Sequence, residues 1–269
     1  MASTALQIRP RSNVMQNASI CIADRFVFIE LPSPDAEVIP GVRWGSFDAF
    51  PSPAYWAYQV HARKVCGIGI QYKLGASLKE EVGACLLGGH GIPAAVGLAA
   101  FSHLKERNAF EGKSPDLPTL QKWLSEPITM GERQVKYRFA AQKAKYLSEA
   151  LRKLDDELAP CESGRALRTW LLQIPGIGFK TGSWIARNWL NADDVAILDI
   201  HVYRAGILAG FFDPTASIDR HYERLEEQFL QFALGLNVRA SELDATIWYE
   251  MMSSRLTVHR ILSESNHCC

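Results

Sequence analysis

Long apolar runs are missing from this chain: no window approaches the roughly 18 unbroken apolar residues that a membrane-spanning helix needs. The first residues, MASTALQIRPRSNVMQN, also lack the apolar core of a secretory signal. Cysteine is scarce and shows none of the paired spacings of a zinc site. The six cysteines stand at positions 21, 66, 85, 161, 268 and 269. We therefore expect free thiols in a reducing compartment, no metal site and no membrane partner.

Net charge is also absent, because 29 basic residues balance 29 acidic ones. This balance disfavours a protein that coats nucleic acid with its whole surface, but a local basic face can bind phosphates within a neutral chain. Residues 131–153 form such a run, with seven basic side chains against two acidic ones. Apolar residues from Phe139 to Leu158 recur at helical spacing and predict one long helix here. A solvated helix face is the commoner meaning of a basic run, so both interpretations stay open.

The rest of the chain has the composition of a globular protein, with 48% hydrophobic and 22% charged residues. Residues 19–31 are rich in β-branched and aromatic residues and predict one or two short strands. Five prolines within residues 32–53 predict an extended linker or irregular structure. From residue 54 the apolar spacing is helical almost to the end. We predict an all-α fold with a short N-terminal β element, divided into an N-terminal segment (1–53) and a helical body (54–269).

A glycine-rich turn, read as IPGIG, separates two amphipathic segments within residues 163–190. Pro175 cannot continue the first helix. The turn residues Gly176, Ile177 and Gly178 can adopt positive φ at the glycines and leave backbone N–H groups uncovered. The pattern predicts a helix-hairpin-helix, whose turn amides and second helix start could bind a DNA phosphate without reading base sequence. An αα-hairpin that serves only for packing is the alternative.

Lys180 and Asp199 each stand at a predicted helix start after this turn. The positive field of a helix start favours the neutral form of a lysine amine, and a dry cleft would favour it further. A neutral lysine is a nucleophile for an electron-poor carbon. Asp199 is expected to cap the next helix, and its carboxylate could stabilise positive charge on a sugar ring or move a proton. A surface lysine and a simple cap are the alternatives.

The residues Leu-x-x-Ile-Pro-Gly-Ile-Gly-x-Lys180, followed 19 residues later by Asp199-x-His-Val, carry a resemblance to a known family. They resemble the helix-hairpin-helix DNA glycosylase superfamily, and the lysine with its spacing to the aspartate is most similar to the 8-oxoguanine DNA glycosylase branch. The similarity is strong over residues 163–210 and weaker over residues 78–104. It implies a two-lobed helical protein that binds double-stranded DNA with one nucleotide flipped out. We expect a monomer in the cytoplasm, at the nucleoid in a prokaryote.

The resemblance also implies roles for individual residues. Lys180 would attack C1′ of the sugar, expel an altered base and form a Schiff base, and proton removal from the sugar could then nick the strand. Asp199 would support the sugar-centred cation and help to activate the lysine, so the two helix starts would converge on one flipped nucleotide. His201 would lie near a DNA phosphate, although a structural histidine is equally compatible. The four-cysteine cluster of the endonuclease III branch is missing, so no iron–sulfur centre and no other cofactor is expected.

Two positions depart from the pattern of the 8-oxoguanine branch. Trp184 lies four residues after Lys180 on the same helix face, where the branch commonly has a small residue. It could stack on a flipped base, or it could belong to the core. His90, in the segment LGGHGI, stands where relatives have polar residues that fill the gap in the DNA. It could act as that wedge, or it could be an exposed residue of a helix-ending glycine loop.

Three functions follow from these patterns. The first is a lysine-dependent DNA glycosylase with AP-lyase activity, acting on an oxidised purine such as 8-oxoguanine or on another modified base, including one in foreign phage DNA. The second is a catalytically inactive helix-hairpin-helix module that binds DNA, although phosphate binding by turn amides needs neither the lysine nor the aspartate. The third is a helical protein that binds no nucleic acid, and salt-sensitive DNA affinity would eliminate it.

Overall fold

The computed structural model describes residues 14–67, 73–89 and 91–254. Within these residues the chain forms ten helices and six short strands, so the predicted helical fold with a small N-terminal β element is confirmed. The helices are α1 (Pro53–Val65), α2 (Leu78–Leu87), α3 (Ala94–Lys105), α4 (Leu117–Ser125), α5 (Ala140–Asp156), α6 (Gly164–Leu171), α7 (Phe179–Leu190), α8 (Ile200–Ala209), α9 (Ile218–Gly235) and α10 (Ala240–Ser253). The strands are β1 (Gln16–Ile22), β2 (Arg25–Leu31), β3 (Glu37–Ile39), β4 (Val42–Arg43), β5 (Ile128–Met130) and β6 (Arg133–Val135). None of these helices is long and apolar enough to cross a membrane.

The contacts divide the chain into two compact units. The first unit takes residues 1–70 together with residues 198–269, and the second takes residues 71–197. The division falls between Lys180 and Asp199. Each unit therefore contains part of the segment, residues 163–210, that most resembles the glycosylase superfamily. The predicted boundary after residue 53 stays a prediction.

The first unit combines the N-terminal hairpins with α1, α8, α9 and α10. Strands β1 and β2 pair in antiparallel fashion across Ala23 and Asp24, whose positive φ values of 42° and 65° suit a two-residue hairpin turn. Helix α10 packs against α8 and α1. Large aromatic side chains fill the interior, and the rings of Phe211 and Phe232 stack with their centroids 3.9 Å apart. This packing fixes α8, the helix that follows Asp199.

The second unit buries one apolar core between α2, α3, α4, α5, α6 and α7. Its fully buried leucines are Leu87, Leu104, Leu120, Leu124, Leu147, Leu151, Leu167 and Leu171. The apolar spacing of α5, α6 and α7 places one face of each helix in this core, since residues three and four apart share a helix face. The core therefore holds the two hairpin helices, α6 and α7, against α2 and α5.

A buried carboxylate ties α2 to α7. The side chain of Glu81 is fully buried, and its Oε2 accepts hydrogen bonds from the amides of Leu74 and Gly75 at 2.7 and 2.8 Å. Its Oε1 accepts a third bond from Asn188 Nδ2 at 2.7 Å. Because a buried charge is costly unless it is well bonded, this network specifies one arrangement of α7 against α2. Asn188 lies on α7 at helical spacing from Lys180 and Trp184, so the network also fixes the rotation of their helix.

The carbonyl end of α2 is held by two side chains from the region around α5. The hydroxyl of Tyr137 donates to the carbonyl of Leu87 at 2.6 Å. Lys143 Nζ donates to the carbonyls of Leu86 and Gly88 at 2.6 and 3.0 Å, and burial lowers the pKa of this lysine. A cation at a helix C-terminus interacts favourably with the helix dipole, so one residue of the basic run has a structural role.

Three details differ from the sequence expectation. The segment around residue 131 forms the hairpin of β5 and β6 instead of a helix, and Gly131 adopts a φ of 61° at its turn. A second hairpin, of β3 and β4, lies in the proline-rich stretch that was expected to be an extended linker or irregular. Leu158 is 98% exposed, because α5 ends at Asp156 and the chain is extended at Glu157 before Pro160. Thus the basic run lies on a strand, a connection and a helix.

Candidate active site

The first hairpin helix begins with a double cap. Ser163 Oγ accepts a hydrogen bond from the amide of Ala166 at 3.0 Å, as the sequence predicts. The carboxylate of Asp194 accepts from the amides of Gly164 and Arg165, both at 3.0 Å. Asp194 follows α7, so it joins the start of α6 to the chain beyond the end of α7. This contact closes the far end of the hairpin and leaves the turn as its other end.

The turn between the helices is a β-turn with proline and glycine at its centre. The carbonyl of Ile174 accepts a hydrogen bond from the amide of Ile177 at 3.1 Å. Pro175 occupies the second position, and Gly176 the third with a φ of 86°, which a type II turn requires. Ile177 is buried and anchors the turn in the core, whereas Gly178 is exposed. The predicted turn is therefore present, with its glycines on the outside.

The start of α7 is suited to an anion. Gly178 is the N-cap residue, so no side chain caps this helix, and a Cβ built on Gly178 would meet no atom within 4 Å. The positive end of the helix dipole faces this open space, which is the usual setting for a bound phosphate. Lys180 lies in the first turn of α7, and its side chain is exposed. The second unit thus places an uncapped helix start and an exposed lysine side by side.

Beyond its first turn, α7 packs closely against its neighbours, and Trp184 takes part in this packing. Trp184 is half-buried and packs against the apolar core of the second unit, so core packing accounts for part of its surface. At the preceding residue of α7, the buried Arg168 of α6 donates from Nη1 to Ser183 Oγ at 3.0 Å. Its Cγ would lie 3.0 Å from a Cβ at Gly182, which shows how closely α6 and α7 approach. The place of Trp184 in a base pocket stays a prediction.

Asp199 caps α8, as the sequence predicts. Its Oδ1 accepts hydrogen bonds from the amides of His201 and Val202 at 2.8 and 3.0 Å. Both bonds use the same oxygen, so Oδ2 is not engaged by the cap, and the side chain is only half-buried. The His201 ring lies edge-on to Trp248 of α10 with centroids 6.4 Å apart. The geometry permits both a structural cap and a carboxylate that acts on a ligand.

The predicted site residues fall into two groups. The turn residues, Lys180 and Trp184 belong to the second unit, while Asp199 and His201 belong to the first. His90 lies outside the described residues. Sequence reasoning missed a further residue, Tyr146 of α5, whose ring touches Gly176 of the turn. Nothing in the linear sequence signals this contact, because it joins α5 to the turn across the intervening loop and the whole of α6.

The two turn glycines provide a matched pair of variants. Gly176→Ala should lower the free energy of unfolding by about 2–4 kcal/mol, because its φ is positive and its Cβ would lie 2.3 Å from the Tyr146 ring. Gly178→Ala should lower it by no more than about 1 kcal/mol, since the site is open, but should weaken DNA binding about tenfold by obstructing the helix start. Urea unfolding and a DNA titration of both variants check this. Equal DNA affinity of Gly178→Ala and the unchanged chain would contradict a phosphate at this turn.

Several known proteins are similar to this chain. A family model described as 8-oxoguanine DNA glycosylase matches residues 75–238. The 8-oxoguanine DNA glycosylase/AP lyase of Methanocaldococcus jannaschii is 32% identical over 118 residues, which are 42% of this chain and 56% of that protein. The protein of the same name from Fusobacterium nucleatum is 27% identical over 124 residues, 42% of this chain and 57% of that one. The chain thus spans somewhat over half the length of these relatives.

Solved structures show the same fold. The crystal structure of the Methanocaldococcus jannaschii 8-oxoguanine DNA glycosylase has a TM-score of 0.56 at 22% identity, over 75% of this chain and 94% of that one. The structure of the enzyme from Thermotoga maritima has a TM-score of 0.54 at 21% identity, over 72% and 94% of the two chains. The family match covers the hairpin, Lys180 and Asp199 together. This chain therefore belongs to the 8-oxoguanine DNA glycosylase family of helix-hairpin-helix proteins.

Proposed function

We propose that the protein is a DNA glycosylase with AP-lyase activity, which excises 8-oxoguanine or a closely similar oxidised purine from double-stranded DNA. The observation that carries this proposal is the exposed Lys180 in the first turn of α7, directly after an uncapped helix-hairpin-helix turn. Membership of the family and the names of the relatives supply the substrate. The protein would act as a monomer, in the compartment that holds the DNA.

The hairpin would bind the backbone of the DNA. Turn amides and a helix start recognise phosphate without reading the base, so they position the strand irrespective of sequence. The glycosidic bond of a stacked nucleotide cannot be reached inside the duplex, so the target nucleotide would be flipped out before reaction. His201, at the start of α8, is proposed to lie near a phosphate of the same strand.

Lys180 would be the nucleophile. The lone pair of its neutral Nζ attacks C1′, the bond from C1′ to the base breaks, and the base leaves with the bonding electrons. Loss of the amine proton and opening of the sugar ring give an iminium ion between Nζ and C1′. Removal of a proton from C2′ then expels the 3′ phosphate and nicks the strand, and water releases the lysine. This sequence of steps needs no cofactor, and the absence of a cofactor stays an expectation from the sequence.

Asp199 would stabilise positive charge on the sugar as the base departs. Its Oδ1 is fixed by two backbone amides, so the carboxylate is held in one orientation without needing to reorganise during reaction. The oxygen that the cap leaves unused, Oδ2, would face the developing cation. The same carboxylate could accept the proton that Lys180 must lose before it attacks.

A panel of duplexes tests the function. Each duplex carries one altered base, with 8-oxoguanine placed opposite each of the four normal bases, and release of free base and of nicked strand are measured separately under single-turnover conditions. We expect release from the 8-oxoguanine duplexes with nicking at the same site. Salt-sensitive DNA binding without release from any duplex would contradict the proposal and would indicate a binding module.

A further inference from the structure

We propose that the hydroxyl of Tyr146 of α5 donates a hydrogen bond to the DNA phosphate that the hairpin turn binds. This inference rests on the function proposed above and adds a side-chain contact to a site otherwise made of backbone amides. Three observations carry it: the contact between Tyr146 and the turn, the hydrogen bonding of the hydroxyl, and the charge of the surrounding helix surface.

The ring of Tyr146 lies directly against the turn. A Cβ built on Gly176 would come within 2.3 Å of Cδ2 and 2.6 Å of Cγ of the ring, so the glycine backbone and the ring are in van der Waals contact. Gly176 is exposed and Tyr146 is half-buried, so this contact lies at the surface of the second unit. The tyrosine therefore forms one wall of the surface from which the turn would meet a phosphate.

The hydroxyl of Tyr146 has one hydrogen bond and retains its donor. Gln142 Nε2, one turn earlier on α5, donates to Tyr146 Oη at 3.1 Å, and this contact is exposed. Within the described residues no acceptor receives the proton of this hydroxyl. A phenol oxygen that accepts a hydrogen bond makes its own O–H a better donor. A phosphate oxygen is a strong acceptor for that donor.

Two further contacts hold α5 and the hairpin together. Lys153 Nζ donates to Gln173 Oε1 at 3.0 Å, and Gln173 lies just before the turn. Trp170 Nε1 of α6 donates to Glu157 Oε2 at 3.0 Å, and the Lys153 hydrogen bond holds the pKa of that carboxyl below its usual value. These contacts fix Tyr146 relative to Gly176, so the hydroxyl needs little reorganisation when DNA binds.

The charge around Tyr146 suits a phosphate. Lys145, next to Tyr146, is exposed, whereas Lys143 is engaged by the carbonyls of α2 and Glu149 is the nearest acidic residue of α5. Because α5 adjoins the turn through Tyr146, Lys145 adds one exposed positive charge to the helix that carries this tyrosine. The alternative interpretation of the basic run as a solvated helix face explains its charges, but not a tyrosine donor placed against the turn.

Tyr146→Phe is the variant that tests the proposal, because it keeps the ring against Gly176 and removes only the hydroxyl. The probe is a duplex with a tetrahydrofuran abasic site, which binds but cannot form a Schiff base. We expect the dissociation constant to rise about tenfold, the size of effect for a hydrogen bond to a charged acceptor. The salt dependence of binding and the unfolding midpoint should not change, since no charge and no packing is lost. Tyr249→Phe, which alters a tyrosine that is 47% exposed in the other unit, is the matched control and should bind like the unchanged chain.

The outcomes separate this inference from the proposed function. If Tyr146→Phe binds the probe as tightly as the unchanged chain, or loses affinity only together with thermal stability, Tyr146 is a packing residue and the inference is wrong. The proposed function is then decided by base release and nicking on the duplex panel alone. If the unchanged chain shows no salt-sensitive binding to the probe and no excision on the panel, both proposals are wrong.

Discussion

Lys180→Gln is expected to remove base excision and strand nicking together, with a single-turnover rate on an 8-oxoguanine duplex at least about 10⁴-fold below that of the unchanged chain. Glutamine has similar length and hydrogen-bonding capacity, but no lone pair that can attack C1′. The side chain is exposed in the second unit, so the substitution should leave the unfolding midpoint unchanged. Quenched single-turnover reactions, resolved into free base and nicked strand, provide the measurement.

Two further variants distinguish the role of Lys180 as a nucleophile from the effect of its positive charge. Lys180→Arg keeps a positive charge at the start of α7 but cannot form the Schiff base, so it should be as inactive as Lys180→Gln while binding DNA more tightly. Lys122→Gln alters an exposed lysine of α4 in the same unit and should retain full activity. Residual excision by Lys180→Gln at more than about a tenth of the normal rate would show that water, and not this lysine, displaces the base.

Asp199→Asn should lower the excision rate by about 10²- to 10³-fold, the range for loss of one electrostatic contact to a transition state. Asparagine caps a helix as well as aspartate does, so its Oδ1 can still accept the amides of His201 and Val202. Stability should therefore change by less than about 0.5 kcal/mol. Rates and urea unfolding measured on the same preparation separate the two roles of this residue.

Asp199→Ala completes this comparison. It removes both the charge and the cap, so it should lose the same catalytic factor as the asparagine variant and about 1 kcal/mol of stability as well. If Asp199→Asn excises the base at the normal rate while Asp199→Ala is merely less stable, the aspartate is only a cap. That result would leave the sugar cation without the stabilising carboxylate that we propose.

Much of the hairpin could be predicted from the sequence because its determinants are local. Pro175 ends one helix, Gly176 supplies the positive φ of the turn, and Ser163 and Asp199 cap the helices that follow them. Each of these effects acts over a few residues, so a single sequence contains the information. The same locality explains why the strands at residues 19–31 were predictable from β-branched and aromatic residues.

What the sequence could not show depends on contacts between distant segments. The hydrogen bond between Glu81 and Asn188 joins residues 107 positions apart, and no local sequence pattern near either residue indicates a buried polar network. The contact of Tyr146 with Gly176 has the same origin. The hairpin of β5 and β6 was missed because its strands have only three residues each, too short for a period of two to stand out against helical neighbours.

The central claim is that Lys180 forms a covalent intermediate with the sugar, and borohydride trapping tests it most directly. The protein is mixed with an 8-oxoguanine duplex in the presence of borohydride, and the reduced adduct is digested and its attachment site is identified by mass spectrometry. We predict one stable protein–DNA adduct, attached at Lys180 and missing from Lys180→Gln. An adduct at another residue, or excision of the base with no adduct at all, would contradict this account.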